Sequence, residues 1–429
     1  MPRARWIRTL TAAACITATA GATIGAAAPP DRPPTAPALA ADLAAWQSAT
    51  IPGTAGPGTT PGTPGTPVTT ITAVTTATAA TADGRELPDP LTASPAEISA
   101  FFSTLTPAEA DTLARTHPYV VGNLDGAPIH LRYLANRLAL TDSADRARTS
   151  GDTATADKYA ALAAPGRSIL SFDPSGRGLV AEVYGDLATA ERVSVVVPGS
   201  DADLARFDRT SEPLRSARGM AEALHTRQLD TAPAARTAVI AWTGYLTPNG
   251  FGANVMRGDL AADGALRLER LLDGLAAARD AAPATADAGP ASTALFCHSY
   301  GAVLCGLAAP HLPAQVDDIV VLAAPGMRAD TVADLHTSAH VWAVRSADDW
   351  IDRVPNVAFA GFGHGADPVD DSFGARLLAA DGAVGHSGYF AAGTASLTAF
   401  TEISLGHYQS VPCAHDDQAN QEECRDGLV

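Results

Sequence analysis

Five continuous apolar runs, each followed by enough sequence for a helix, constrain this chain more than any other feature. They read "RVSVVVPG" from Arg192, "TAVIAWTGY" from Thr237, "TALFCHSYG" from Thr293, "DIVVLAAPG" from Asp318 and "HVWAVRS" from His340. A strand with one wet face alternates apolar and polar residues, whereas a run apolar throughout is covered on both faces. Strands of that kind alternating with helix-length segments predict a mostly parallel sheet with helices on both sides, an α/β protein. Upstream, "SILSFD" and "LVAEVYGD" flank the turn "PSGRG", which predicts an antiparallel pair at one edge of the sheet.

Parallel α/β sheets carry their chemistry at the carboxyl ends of their strands. One such end, "ALFCHSYGAVLCG", sets Ser299 where a strand turns sharply into a helix. That turn strains the backbone, lifts the hydroxyl above the sheet and requires small neighbours. Gly301 supplies the later small residue. Cys297 stands at the earlier one, so the motif is C-x-S-x-G rather than G-x-S-x-G. A serine nucleophile on such a sheet is followed in the chain by an acid and then a histidine base. A later strand end offers Asp348 and Asp349, of which Asp349, followed by Trp350-Ile351, better suits the acid loop. The Gly-flanked loop "DGAVGHSGYF" offers His386, with His364 and His407 as rivals, while His298 cannot fold back onto the adjacent hydroxyl. In this arrangement Asp349 orients His386, and His386 takes the Ser299 proton. Backbone N–H groups of Tyr300 and of Ser200 or Asp201, after "VSVVVPG", are the expected oxyanion donors, with Ser200 preferred. "WTGYLTPNGFG" leaves a strand at the same rim; Tyr245 and Phe251 are expected to line a substrate pocket and Trp242 to pack beneath it.

These phrases resemble the actinobacterial α/β-hydrolases long catalogued as a domain of unknown function. The likeness runs from about Ser94 to Gly406 and includes "PYVVGNLDGAPIHLRYLANRLAL" as a helical lead-in, "VVVPGSDADL", "WTGYLTP", "CHSYGAVLCGLAA" and "GHSGYF". The resemblance implies an α/β-hydrolase fold and a triad of Ser299, Asp349 and His386, and it implies no particular substrate. The reading is a serine hydrolase forming an acyl-enzyme on a small-molecule or lipid-like ester, with no cofactor and no metal. A peptidase or amidase on the same fold and a non-catalytic cell-wall-associated binding protein are the alternatives. Oligomeric state and cell-wall association stay open.

The flanking sequence sets the expected organisation. Residues 1–28 have the layout of a secretory signal peptide, with Arg3, Arg5 and Arg8 before a small-residue apolar stretch and Ala26-Ala27-Ala28 as cleavage site. Residues 29–92, rich in Ala, Thr, Pro and Gly, are expected to be a disordered linker, dispensable for folding up to Pro90. A helical region is expected over 93–165, opened by the capping boxes Ser94–Glu97 and Thr106–Glu109. The hydrolase domain follows over 166–410, then a polar tail over 411–429. Of the five cysteines, Cys15 leaves with the signal peptide, Cys413 and Cys424 are expected to pair, and Cys297 and Cys305 are either bridged or merely small. The net charge is −17, and Lys158 is the single lysine among 29 basic residues. That acid excess argues against nucleic acid or an anionic membrane as partner.

Overall fold

The computed structural model describes residues 35–52, 84–250, 253–280, 292–354, 358–359, 362–414 and 424–428. The expected signal peptide, the greater part of the expected linker and Phe251 lie outside them. The linker reading needs one correction. Pro37–Ser48 form a helix, α1, whose Trp46 is 1% exposed and donates its Nε1–H to Pro88 O at 2.8 Å. Asp42 accepts the backbone N–H groups of Tyr119 and Val120 at 2.8 and 3.2 Å and bonds His117 Nδ1 at 2.8 Å. A composition averaged over 29–92 hides this, because one tryptophan and one aspartate carry the docking.

Helices α2 (Pro95–Ser103) and α3 (Pro107–Thr116) both begin with complete capping boxes. With α4 (Ile129–Thr149) and α5 (Thr153–Leu162) they make the helical region. Ile98, Phe102, Leu113, Val121 and Leu131 join Trp46 in a small core there. Asn136 on α4 reaches Ile169 O at 3.0 Å, which ties this core to the sheet.

The eight strands of the sheet are β1 (Ser168–Asp173), β2 (Leu179–Gly185), β3 (Arg192–Val197), β4 (Thr237–Thr243), β5 (Ser292–His298), β6 (Val316–Leu322), β7 (His340–Val344) and β8 (Arg376–Leu377). Their spatial order is β8-β7-β6-β5-β3-β4-β2-β1. Strand β2 runs antiparallel to β1 and β4, and the other ladders are parallel. The expected antiparallel edge pair is present, and the two-residue β8 adds an edge that the apolar pattern was too short to signal.

Successive strand residues face opposite sides. Val195, Leu295 and Val321 pack with Leu268 and Leu272 of α7 (Asp259–Asp280) and Leu304 of α8 (Tyr300–Ala308). Val196, Phe296 and Val320 pack instead with Leu224 of α6 (Ala217–Thr231) and Phe400 of α9 (Ala395–Leu405). Strand β3 feeds β4 on one side, and the chain then crosses back to lay β5 on the other. The crevice at the carboxyl ends of β3 and β5 is therefore the topological switch point, where open α/β sheets accept ligands.

Candidate active site

Ser299 occupies that crevice with φ 54° and ψ −122°, a conformation a non-glycine residue adopts only under constraint, at about 1–3 kcal/mol. The constraints are visible around it. Its N–H donates to Leu322 O at 2.9 Å. Gly301 lies so close to β3 that a Cβ there would sit 2.6 Å from Val197 O, so the later small position of the motif is sterically required. At the earlier position Cys297 forms a disulfide with Cys305 on α8. A covalent tie between strand and helix thus stands where the common motif has glycine. The second pair, Cys413–Cys424, is also a disulfide.

His386, from the loop after β8, comes to Ser299 with Nε2 2.9 Å from Oγ, and its Nδ1 lies 2.8 Å from Asp349 Oδ1. A carboxylate can only accept, so Nδ1 carries the proton and Nε2 is left as acceptor for the serine hydroxyl. Asp349 is 2% exposed. Burial pushes its carboxyl up, but bonds from His386, Tyr389 and the Ile351 N–H outweigh this and hold it below the ordinary value. Tyr389 O–H donates to Asp349 Oδ2 at 2.6 Å and accepts the Ser346 N–H at 3.0 Å. Asp348 turns away from the imidazole. Its Oδ1 accepts from Ser346 Oγ at 2.6 Å and from the Gly385 N–H at 2.9 Å, tying the acid loop to the loop that carries His386.

The other histidines separate cleanly. His298 donates its Nε2–H to His386 O at 2.7 Å, and burial, aided by the nearby His386, pushes its pKa down to about 3. The residue before the serine thus holds the backbone of the histidine without touching the hydroxyl. His364 donates Nε2–H to Val255 O at 2.7 Å, is driven to about 4 by burial, and lies edge-on to Tyr300. His407 is bonded to Glu402 at the surface.

The turn after β3 brings Gly199 against Ser299, whose Cβ and Oγ would lie 2.6 and 3.1 Å from a Cβ on Gly199, and Ser200 lines the same cleft. The loop after β4 clamps this turn. Tyr245 O–H donates to Pro198 O at 2.7 Å, Thr247 Oγ1 to Ala202 O at 2.8 Å, and Asp201 N–H to Pro248 O at 2.9 Å. The Asp201 N–H is thereby engaged by Pro248 rather than turned to the serine. Tyr245 does not line the cleft as the sequence suggested. It is 1% exposed, stacked on Trp242, and its work is to support the turn from below. A tyrosine following a strand end reads equally as wall or as prop, and only the fold distinguishes them.

A cleft of about 920 Å³ opens over Ser299. Trp350 lies against His386 with ring centroids 4.4 Å apart and covers one face of the imidazole. Sequence reasoning missed this cover, the Tyr389 hydroxyl and the brace formed by Asp348. Tyr389 sits three residues after His386 in the same loop, and that proximity was its only signal. No described residue lining the cleft comes from before Pro198, so the described helical region does not cover the site. Among the described residues there is no cluster of metal-ligating side chains.

Residues 173–359 match the family model described as an alpha/beta hydrolase. Two uncharacterized proteins from strains of Mycobacterium tuberculosis are each 27% identical over 389 residues, covering 75% of this chain and 57% of theirs. The chain therefore spans a little over half the length of the curated relatives it matches. Among solved structures, a putative alpha/beta hydrolase of unknown function from Agrobacterium tumefaciens aligns with a TM-score of 0.26 at 10% identity, over 44% of this chain and 73% of that one. The 2,6-dihydroxy-pseudo-oxynicotine hydrolase aligns with a TM-score of 0.26 at 13% identity, over 60% and 75%. The family match and the strand order assign the α/β-hydrolase fold and support a hydrolase. The family match and the mycobacterial relatives support the alpha/beta-hydrolase part of the resemblance read from the sequence phrases; the matched residues 173–359 do not reach the helical lead-in.

Proposed function

We propose that this chain is a serine hydrolase that cleaves carboxylic esters through an acyl-enzyme. Ser299 Oγ attacks the ester carbonyl as His386 Nε2 takes its proton, and Asp349 stabilises the imidazolium that forms. The N–H groups of Tyr300 and Ser200 receive the negative charge on the carbonyl oxygen. His386 then returns the proton to the departing alkoxide, and water enters by the same route in reverse to release the acid. The observation that carries this reading is His386 bonded at once to Ser299 Oγ and Asp349 Oδ1, at 2.9 and 2.8 Å, beside a serine held at positive φ. A binding module gains nothing from that strain, whereas a nucleophile needs the exposure it gives. Export from the cytoplasm is part of the reading, and two disulfides support an oxidising compartment.

The test is labelling with a fluorophosphonate probe beside a Ser299→Ala control, followed by turnover of p-nitrophenyl acetate. Labelling that requires Ser299, with ester turnover, is the expected result. A folded protein that neither labels nor turns over would sink the proposal.

A further inference from the structure

The walls of the cleft narrow the substrate, an inference that rests on the serine hydrolase reading above. About 920 Å³ lies near the upper end of the roughly 300–1,000 Å³ usual for small-molecule sites. Leu214 comes from the segment after β3, Val255 and Met256 from that after β4, Ile351 and Val354 from the acid loop, and together they face this space. The polar groups concentrate at the reacting end. Away from it, the charged lining side chains among the described residues are Asp201, Glu212 and Arg215. Asp201 accepts the Gly250 N–H at 3.1 Å, and Arg215 is paired with Glu212 at 3.0 Å. Among the described residues the cleft thus offers an anionic substrate no uncompensated cation, in a protein whose net charge of −17 already repels anions.

The mouth points the same way. Five large apolar side chains are exposed among the described residues, and two of them, Trp350 and Val384, line this cleft. Trp350 lies against His386 and Val384 precedes it by two residues, so apolar surface is left open beside the proposed base. Val384 is 72% exposed. Apolar surface gathered at the entrance of an apolar cleft marks a place where a ligand covers it.

We infer that the substrate is an uncharged ester bearing a long aliphatic chain, of about eight carbons or more, which lies along these walls and covers Trp350 and Val384. The chain belongs either to the acid or to the alcohol, and the two sources are separable. The experiment measures kcat/KM for p-nitrophenyl acetate, butyrate and octanoate, for octyl acetate against ethyl acetate, and for a p-nitrophenyl hemiester of suberic acid, all below their aggregation limits. Each methylene moved from water to an apolar wall is worth about fourfold. An acyl chain therefore raises kcat/KM by at least about a hundredfold from acetate to octanoate, and an alcohol chain does so from ethyl to octyl acetate. The suberate hemiester, equal in length but ending in a carboxylate, falls at least about tenfold below octanoate if the chain is acyl. Leu214→Asp, and independently the more tolerant surface change Val384→Asp, lower the ratio of long- to short-chain turnover by about tenfold. Flat profiles in both series, or a hemiester as good as octanoate in an acyl-selective enzyme, overturn the inference. Fluorophosphonate labelling of the same preparation keeps the two claims apart: a labelled serine with flat profiles removes only the long-chain substrate, and an unlabelled one removes both.

Discussion

Gly199→Ala tests how tightly the proposed oxyanion turn is set against the nucleophile. The glycine has no positive φ to protect, so alanine costs the local backbone nothing beyond sterics. Its new Cβ would lie 2.6 Å from Ser299 Cβ, 3.1 Å from His298 O and 3.1 Å from Ser299 Oγ. Ordinary contact starts at 3.4 Å, so turn and serine must separate by about 0.8 Å along the closest approach. Neither side yields easily. The serine is fixed by its Leu322 bond and by the Cys297–Cys305 disulfide, and the turn by Tyr245, Thr247 and Asp201. A displacement near 1 Å at reacting groups costs on the order of a hundredfold in rate. The expected outcome is a fall in kcat/KM for p-nitrophenyl acetate of about 10²-fold, with a parallel slowing of fluorophosphonate labelling. Urea denaturation, followed by circular dichroism, should show a loss of about 1–3 kcal/mol, as expected for overpacking. A variant that turns over within threefold of the parent at unchanged stability would refute the argument, because the turn would then be free to move.

Asp349→Asn should lower kcat by about 10⁴-fold, since an amide cannot hold the imidazolium, whereas Asp348→Asn, which only braces Gly385, should cost about tenfold or less; steady-state kinetics on both decides which carboxylate acts. Tyr245→Phe removes the donor to Pro198 O and should cut kcat about tenfold with KM nearly unchanged, because the hydroxyl supports the turn and Tyr245 is not among the described residues lining the cleft; a changed KM with constant kcat would return Tyr245 to the substrate wall. Deleting the residues before Pro90 should destabilise the protein, contrary to a pure linker, and Trp46→Ala alone should cost about 3–5 kcal/mol in urea denaturation. Burial holds the folded-state pKa of His298 near 3 and of His364 near 4, against an ordinary 6.5. Between those values the unfolded chain binds protons that the folded one refuses, so stability falls as pH drops from about 6.5 towards 4. His364→Gln should flatten that decline in denaturation series at pH 7, 6 and 5, and an unaltered slope would contradict it.

The late strands were legible because burial on both faces leaves an apolar run that no solvent-facing element needs. The same logic fails for β8, whose two residues are too few to form a pattern, and for α1, whose docking rests on Trp46 and Asp42 within an otherwise small-residue stretch. Chain order placed a serine and an acidic pair at two strand ends and a histidine in a later loop. The offset from the strand end favoured Asp349 over Asp348, but what each carboxylate bonds, His386 or Gly385, is set by the direction in which the fold turns it. Phe251, expected beside the cleft, lies outside the described residues.

By itself the sequence determined what is periodic or local: the buried parallel strands, the two capping boxes, and the small residue Gly301 after a serine at a strand end. Such features are written in neighbouring residues, since pleat, cap and turn each engage only a few of them. Tertiary structure alone decided whatever depends on two distant segments meeting. Cys297 became a disulfide partner of Cys305, Tyr245 a prop under Pro198, Asp348 a brace on Gly385 and His298 a grip on His386. Each residue type is compatible with several roles. The role is set by which atom the fold brings within about 3 Å, a distance no spacing along the chain encodes.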